Sequence, residues 1–468
     1  MGSKLKVLTG GTLKSIIIKN LKETLKVRAK KSFKGKKEDW SLKYFDFKRK
    51  KGKVLLNEKG KNFLSSLEGK IKKDNFKFHK ASLFAIHKVK PGKRKIPPIE
   101  ILATKILEKD KEFSGYFRVL SKPKKEDYLI QKIIFKYLNK KFNKIFSKFS
   151  FAYRQFTRKA KYKRPTTKAI KFLERKIEKG LRFVTKIDIE KFFDSVDHKI
   201  LIKNFKNILN NKLLKFDTNE KKYLIQLIEN YLKSIEKTYI EFCPNYKNKG
   251  IFQGHPLSCI LANVYLHSLD MYLTKKKFCF IRYADDIVIL TKTKSAAKDG
   301  FKFSKKFLKE RLKLNVNTKK SLIGEREFEF LGIKYGKNGE KRIRDYTIEK
   351  AKNKIRKITD IKKIKKLNSS IIKINQFLGY KILNKKGKKR LIKMGKYIGK
   401  GWVDYFASVS NGFEFLKQMK ELDCFTRDRL RVLYGKKIST KKSNKEFYKR
   451  GLRSFVGTYK FAVQKNRS

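Results

Sequence analysis

Two adjacent carboxylates, Asp285 and Asp286, sit between the apolar runs Phe278-Cys279-Phe280-Ile281 and Ile287-Val288-Ile289-Leu290. Short apolar runs on either side of a polar break predict a β-hairpin with buried strands, and its tip, Tyr283-Ala284-Asp285-Asp286, then carries both acids. Close carboxylates repel and raise each other's pKa unless a cation neutralises them. A divalent metal would serve. A solvated Asp-Asp turn between two core strands reads the same from these four residues alone.

A further acid lies upstream. Phe183-Val184-Thr185-Lys186-Ile187 is an apolar strand signal that runs into Asp188, and the residues after it, through Asp194, break the alternation as a strand does when it passes into a helix. Asp188 and the Asp285-Asp286 pair are far apart in sequence, so their pairing must be tertiary. Two strand-borne acids side by side would hold two Mg²⁺ ions about 3.5–4 Å apart. Mg²⁺ takes few carboxylates, retained waters and substrate phosphates, so a site without His or Cys suits it. Between the acids, Gly250-Ile251-Phe252-Gln253-Gly254 predicts a loop with close backbone approach to a ligand. Leu257, Ile260, Leu261, Val264 and Leu269 follow at helical spacing. An ordinary loop leading into a core helix would show the same pattern.

Together these segments resemble the reverse transcriptase family. Tyr283 to Asp286 matches its YxDD motif, Asp188 with Phe192-Phe193-Asp194 its first catalytic motif, and Gln253-Gly254 with Pro256-Leu257-Ser258 its PQG-containing motif. Arg118, Leu120, Pro123, Asp127 and Gln131 have the spacing of the fingers motif, and Ser150-Phe151-Ala152-Tyr153-Arg154 is similar to the element after it. Lys320 resembles the lysine that follows the acidic hairpin, and Phe330-Leu331-Gly332 the primer grip. Gly401 to Phe406, Leu422-Asp423 and Arg429 to Arg431 look like the thumb of group II intron reverse transcriptases. Independent motifs agree in order over roughly residues 115 to 436. There are departures: Phe252 and Cys259 replace usual prolines, His255 a usual serine, and Ser121-Lys122 the glycine and isoleucine of the fingers motif. No catalytic carboxylate is lost, so activity is expected to survive.

The resemblance implies an α+β chain of right-hand polymerase architecture, with fingers, a palm of antiparallel sheet plus helices, and a helical thumb. It implies RNA-directed DNA synthesis with Mg²⁺, or Mn²⁺ in its place, held by Asp188, Asp285, Asp286 and the backbone carbonyl of Ile189. One ion would activate a 3′-hydroxyl and the other would steady departing pyrophosphate, with Lys320 assisting. Arg118 would meet the triphosphate, and Gln253, Gly254 and Tyr283 would frame the nucleotide. Phe193, five positions after Asp188, falls where the family places a steric gate against the 2′-hydroxyl, with Phe192 as the competing choice.

Composition agrees with a nucleic-acid partner. The formal charge is +82, from 124 basic and 42 acidic residues, and a compact chain with such a field repels itself unless phosphates or counterions offset it. An AT-rich coding sequence accounts for part of the lysine excess. Four cysteines without a CxxC pair predict neither zinc nor disulfides, which fits a reducing cytoplasm. No apolar run reaches about 18 residues, so no membrane span is expected.

The expected organisation is a basic N-terminal extension (1–80), fingers (81–180) with a strand near 81–90 and an insertion near 93–115, palm (181–338), thumb (339–436) and basic tail (437–468). The stretch from Lys199 to Lys237 reads as helical, and the C-terminal third from Lys341 onward shows helical periodicity with many basic residues, as in Ile348, Ala351, Ile355 and Ile358. The expected partners are an RNA template, its cDNA product and dNTPs. A structured companion noncoding RNA copied in antiphage defence is one expectation for the template. A group II intron maturase acting mainly as an RNA-binding splicing factor is the other, and the absence of a Cys/His-rich endonuclease module argues against an autonomous homing protein.

Overall fold

The computed structural model describes residues 13–35, 40–48, 53–87, 98–99, 101, 117–154, 164–243, 246–325, 327–337, 340–360, 367–382, 394–397, 401–409, 412–434 and 440–467. Contacts divide the chain into two compact units, one of Met1–Gln155, Ile187–Ile287 and Phe301–Ser321, the other of Phe156–Lys186, Val288–Gly300 and Leu322–Ser468. Helices and small sheets mix throughout, as the α+β expectation requires.

The first unit opens with α1 (Leu13–Gly35), β1 (Phe45–Lys48), β2 (Lys53–Leu56), α2 (Glu58–Lys72), β3 (Ser82–His87), β4 (Phe117–Lys122) and α3 (Lys125–Phe142). Leu13, Ile17, Leu21, Leu25 and Ala29 recur every fourth residue, and all are buried. That stripe packs α1 against α2 and α3, so the lysine-rich N-terminus has an apolar anchor. Phe76 and Phe78 are buried too, and the backbone N–H and ring of His79 both engage the buried Asp127 carboxylate, at 3.0 and 2.9 Å. β3 falls within the expected strand and pairs antiparallel with β4, from Ser82 opposite Lys122 to His87 opposite Phe117. The insertion at 93–115 lies outside the described residues, apart from 98, 99 and 101.

Next in the chain come α4 (Pro165–Glu178) and β5 (Phe183–Ile187), then α5 (Phe192–Ser195), α6 (His198–Leu209), α7 (Thr218–Tyr239), α8 (Pro256–Lys275), β6 (Cys279–Tyr283), β7 (Asp286–Thr291) and α9 (Lys294–Leu312). The stretch from Lys199 to Lys237 is divided between α6 and α7. Their N-caps explain the break: Asp197 accepts from the Ile200 N–H at 3.0 Å and Asp217 from the Glu220 N–H at 2.8 Å. α8 buries all five of the apolar residues singled out by their spacing.

The remainder comprises β8 (Leu322–Glu325), β9 (Phe328–Phe330), β10 (Ile333–Tyr335), β11 (Lys341–Ile343), α10 (Asp345–Ile358), α11 (Leu367–Leu378), β12 (Tyr380–Ile382), β13 (Met394–Tyr397), α12 (Trp402–Val409), α13 (Phe413–Tyr434), α14 (Thr440–Lys449) and α15 (Phe455–Arg467). Within the second unit β5 pairs antiparallel with β8, Phe183 opposite Glu325, and β9, β10 and β11 form an antiparallel sheet of their own. Within the second unit Ile348, Ala351, Ile355 and Ile358 line the buried face of α10, as their spacing predicts. The helical periodicity read from Lys341 onward forms as α10 to α15, and the short strands β11, β12 and β13 come in addition to it. These strands are too short to show a period, and β11 is fixed from outside: the Gln418 side chain on α13 accepts from the Ile343 N–H and donates to its C=O, both at 2.8 Å.

Two buried groups make stability measurable. Asp423 on α13 accepts from the N–H groups of Phe455 and Val456, at 2.7 and 3.1 Å, and so caps α15. Asp423→Ala should cost about 1–3 kcal/mol in denaturant unfolding, and Asp423→Asn, which keeps one acceptor, less. His255, which precedes α8, is 2% exposed, and burial pushes its imidazole down to about 3. The unfolded chain therefore binds a proton below about pH 6.5 that the folded chain refuses until about pH 3. Stability should fall with pH across that window by up to about 1.4 kcal/mol per unit, and the slope should flatten in His255→Gln.

Candidate active site

The acidic hairpin forms as its apolar flanks predict. β6 ends at Tyr283, β7 begins at Asp286, and the turn between them puts Ala284 in the left-handed region at φ 60°, 7% exposed. β6 is tied to the Ser150–Arg154 element through its backbone: the Arg282 N–H donates to the Phe149 carbonyl at 2.8 Å, and the Phe151 N–H donates to the Arg282 carbonyl at 2.9 Å. The Arg282 side chain is buried. Its guanidinium forks onto Asp270 of α8, Nε to Oδ1 at 2.7 Å and Nη2 to Oδ2 at 2.6 Å.

Asp188 follows β5 and is gripped by the segment after α9. Its N–H donates to Ser321 Oγ at 3.2 Å, its carbonyl accepts from the Asn317 N–H at 2.8 Å, and the Glu190 N–H donates to the Asn315 carbonyl at 2.9 Å. Ile189 is bridged antiparallel to Val316. The bonds of that bridge run through the flanking residues, so the bridge leaves the Ile189 carbonyl unused.

Asp188 and Asp285 lie within electrostatic reach of each other. Burial raises the Asp285 pKa above the usual carboxylate range, the Asp188 charge raises it further, and Arg118 and Arg282 act against both. The exposed Arg118 on β4 thus lies within electrostatic reach of Asp285. Asp286 starts β7, where side chains alternate between faces, and among the described residues no three His, Cys, Asp or Glu side chains are arranged to hold an ion. The carboxylates of Asp188 and Asp285, with the Ile189 carbonyl that the bridge does not use, still fit Mg²⁺, which binds through one or two carboxylates completed by substrate phosphates and water.

The other predicted residues distribute around this pair. Phe192 is buried with its ring 6.3 Å from that of Tyr265, whereas Phe193 is half-buried and its carbonyl accepts from the Ile251 N–H at 2.7 Å. Gly250 and Gly254 have φ of 75° and 95°, and a Cβ on Gly250 would lie 2.3 Å from Tyr246 Oη. The Gln253 carbonyl accepts from Ser121 of β4, at 3.5 Å from its N–H and 3.4 Å from its hydroxyl. Tyr283 is half-buried, and burial raises its phenol pKa. Lys320 is exposed in the turn that begins at Asn317, whose N–H holds the Asp188 carbonyl.

Sequence reasoning missed Arg282, Asp270 and Tyr153. A charge in the middle of an apolar strand and another in an apolar helix were the available signal for the pair. Tyr153 stands at φ 62°, and its buried phenol is pushed up first by burial, then by Cys259 and Asp285.

Residues 106–335 match the reverse transcriptase (RNA-dependent DNA polymerase) family. The group II intron-encoded protein LtrA of Lactococcus lactis subsp. cremoris is 31% identical over 173 residues, which are 37% of this chain and 25% of that protein. A putative COX1/OXI3 intron 2 protein of Saccharomyces cerevisiae is 34% identical over 93 residues, 19% of this chain and 9% of that protein. The chain thus spans about a quarter of the Lactococcus relative. Among solved structures, apo telomerase from Candida tropicalis aligns with 89% of this chain and 72% of its own at 11% identity and TM-score 0.42. A Cas6-RT-Cas1–Cas2 complex aligns with 64% and 27% at 21% identity and TM-score 0.30. With the acids, the glycine loop and β4 in the order of that family, residues 106–335 are a reverse transcriptase domain, and its likeness to group II intron-encoded proteins covers 37% of the chain.

Proposed function

We propose that this chain is an RNA-directed DNA polymerase whose centre is the Asp188–Asp285 pair. One observation carries the reading: Asp285, in the turn of the acidic hairpin, lies within electrostatic reach of Asp188, which follows β5, and of Arg118 on β4. Such an arrangement is costly unless a cation and an anionic substrate complete it. Asp188, Asp285 and the Ile189 carbonyl, with Asp286 next to them in the chain, would hold divalent metal, which when bound neutralises the charge of the reacting phosphates. The protein's own work is positioning. Arg118 meets the triphosphate, the backbone at Gln253 and Gly254 flanks the nascent base pair, Tyr283 adjoins the nucleotide, and Lys320 faces departing pyrophosphate. Phe193, the half-buried member of the phenylalanine pair, closes the space a 2′-hydroxyl needs.

The template reading is RNA, held through phosphates by the positive field of the chain. A companion noncoding RNA copied in antiphage defence is the finer proposal. The maturase reading draws support from the likeness to an intron-encoded protein. Sequencing nucleic acid that co-purifies with the protein separates them, since one defined noncoding RNA and its cDNA support defence and an intron lariat supports splicing.

Asp188→Asn and Asp285→Asn should each lower Mg²⁺-dependent primer extension on RNA by on the order of 10³-fold. Extension unchanged in either variant would sink the assignment of the pair. Phe193→Ala should admit rNTPs while Phe192→Ala should instead lower stability, read by single-nucleotide incorporation and thermal melting.

A further inference from the structure

Arg282 takes no part in the chemistry above, yet it is among the largest fully buried side chains of the described residues. Besides the Asp270 fork, its Nη1 donates to Asn263 Oδ1 at 2.9 Å and to the Ala284 carbonyl at 3.1 Å. Asn263 in turn donates Nδ2 to the Ala152 carbonyl at 2.9 Å. One guanidinium therefore joins three pieces of the first unit: α8, the turn of the acidic hairpin, and the Ser150–Arg154 element to which β6 is already bonded. The bond to Ala284 matters most, because that carbonyl belongs to the peptide leading directly into Asp285 and to a residue in the left-handed region. Desolvating an ion pair is expensive, and well-packed apolar residues of the same volume often stabilise a fold as well or better. Stability alone gives this chain no reason to keep the pair.

We propose that Arg282, held by Asp270 and Asn263, is a positioning residue that fixes the Ala284–Asp285 peptide relative to the Ser150–Arg154 element and so sets where the catalytic carboxylate stands. This rests on the polymerase reading above. Tyr153, one residue beyond the clamped Ala152 carbonyl, lies within electrostatic reach of Asp285.

The test compares the unaltered protein with Arg282→Lys and with the double variant Asp270→Leu/Arg282→Met. The double variant should melt close to the unaltered protein. Its kcat for dNTP addition should fall about 10²-fold, the scale of a misplaced reacting group, with KM for dNTP and primer-template affinity little changed. Amide exchange at residues 284–286, read without metal or nucleotide, should accelerate while α6 stays protected. A folded double variant with unaltered kcat and unaltered exchange overturns the proposal. If the double variant does not fold, Arg282→Lys decides, because lysine keeps the charge but cannot make the fork and the Ala284 bond together. Normal kcat and exchange in that variant overturn the proposal equally. An unaltered protein that extends no primer would defeat the polymerase reading, and the exchange measurement would still judge the clamp.

Discussion

The bidentate pair between Arg282 and Asp270 is the contact on which the acidic hairpin depends. Each partner is about 1% exposed, so neither charge has water to fall back on. Removing one alone would leave an uncompensated charge in the core, a far larger penalty than the net worth of the pair. The fold answers the desolvation cost with saturation: four donor contacts from one guanidinium and both carboxylate oxygens engaged. The same saturation converts a helix, a turn and a strand into one rigid support, and rigidity is what a site built on positioning requires.

A second constraint comes from charge. The formal excess of +82 means that the folded chain works against its own field. Among the described residues no lysine is buried, and the buried acids answer locally: Asp127 to His79, Asp270 to Arg282, Asp423 to two backbone N–H groups. Asp285 differs, since the nearest charges that bear on it include another acid, Asp188, as well as the exposed Arg118. Polyanion binding would relieve both the global field and this local imbalance.

The legible parts of the sequence were those with a period or a sharp composition break. The hairpin at 279–291, the strand into Asp188 and the apolar face of α8 each announced themselves in that way, and each formed. The stripe of α1 was equally periodic but hidden by lysines, which occupy its solvent side without affecting the buried one. β11, β12 and β13 were illegible because three or four residues carry no period, and a partner such as Gln418 is invisible until the chain folds. The Arg282–Asp270 pair was illegible for a related reason. Its meaning lies in a tertiary contact, while each residue alone reads as a blemish in an apolar run.

The departures in the nucleotide-pocket motif show how one geometry can be held by different means. A proline restrains a loop by fixing its own φ, and Phe252, which stands where the family usually has proline, cannot. It is instead completely buried, its ring 4.5 Å from that of His255 and 5.5 Å from that of Tyr239. His255, in place of a serine, reaches Gln131 of the fingers helix at 3.2 Å. The loop's restraint has moved from the covalent chain into packing. Gly254 keeps its left-handed φ of 95° and the Gln253 carbonyl keeps its contact with β4. The backbone at Gln253 and Gly254 is therefore held by an aromatic cluster and one buried hydrogen bond, so its conformation depends on the packing of Phe252 and His255 rather than on a proline.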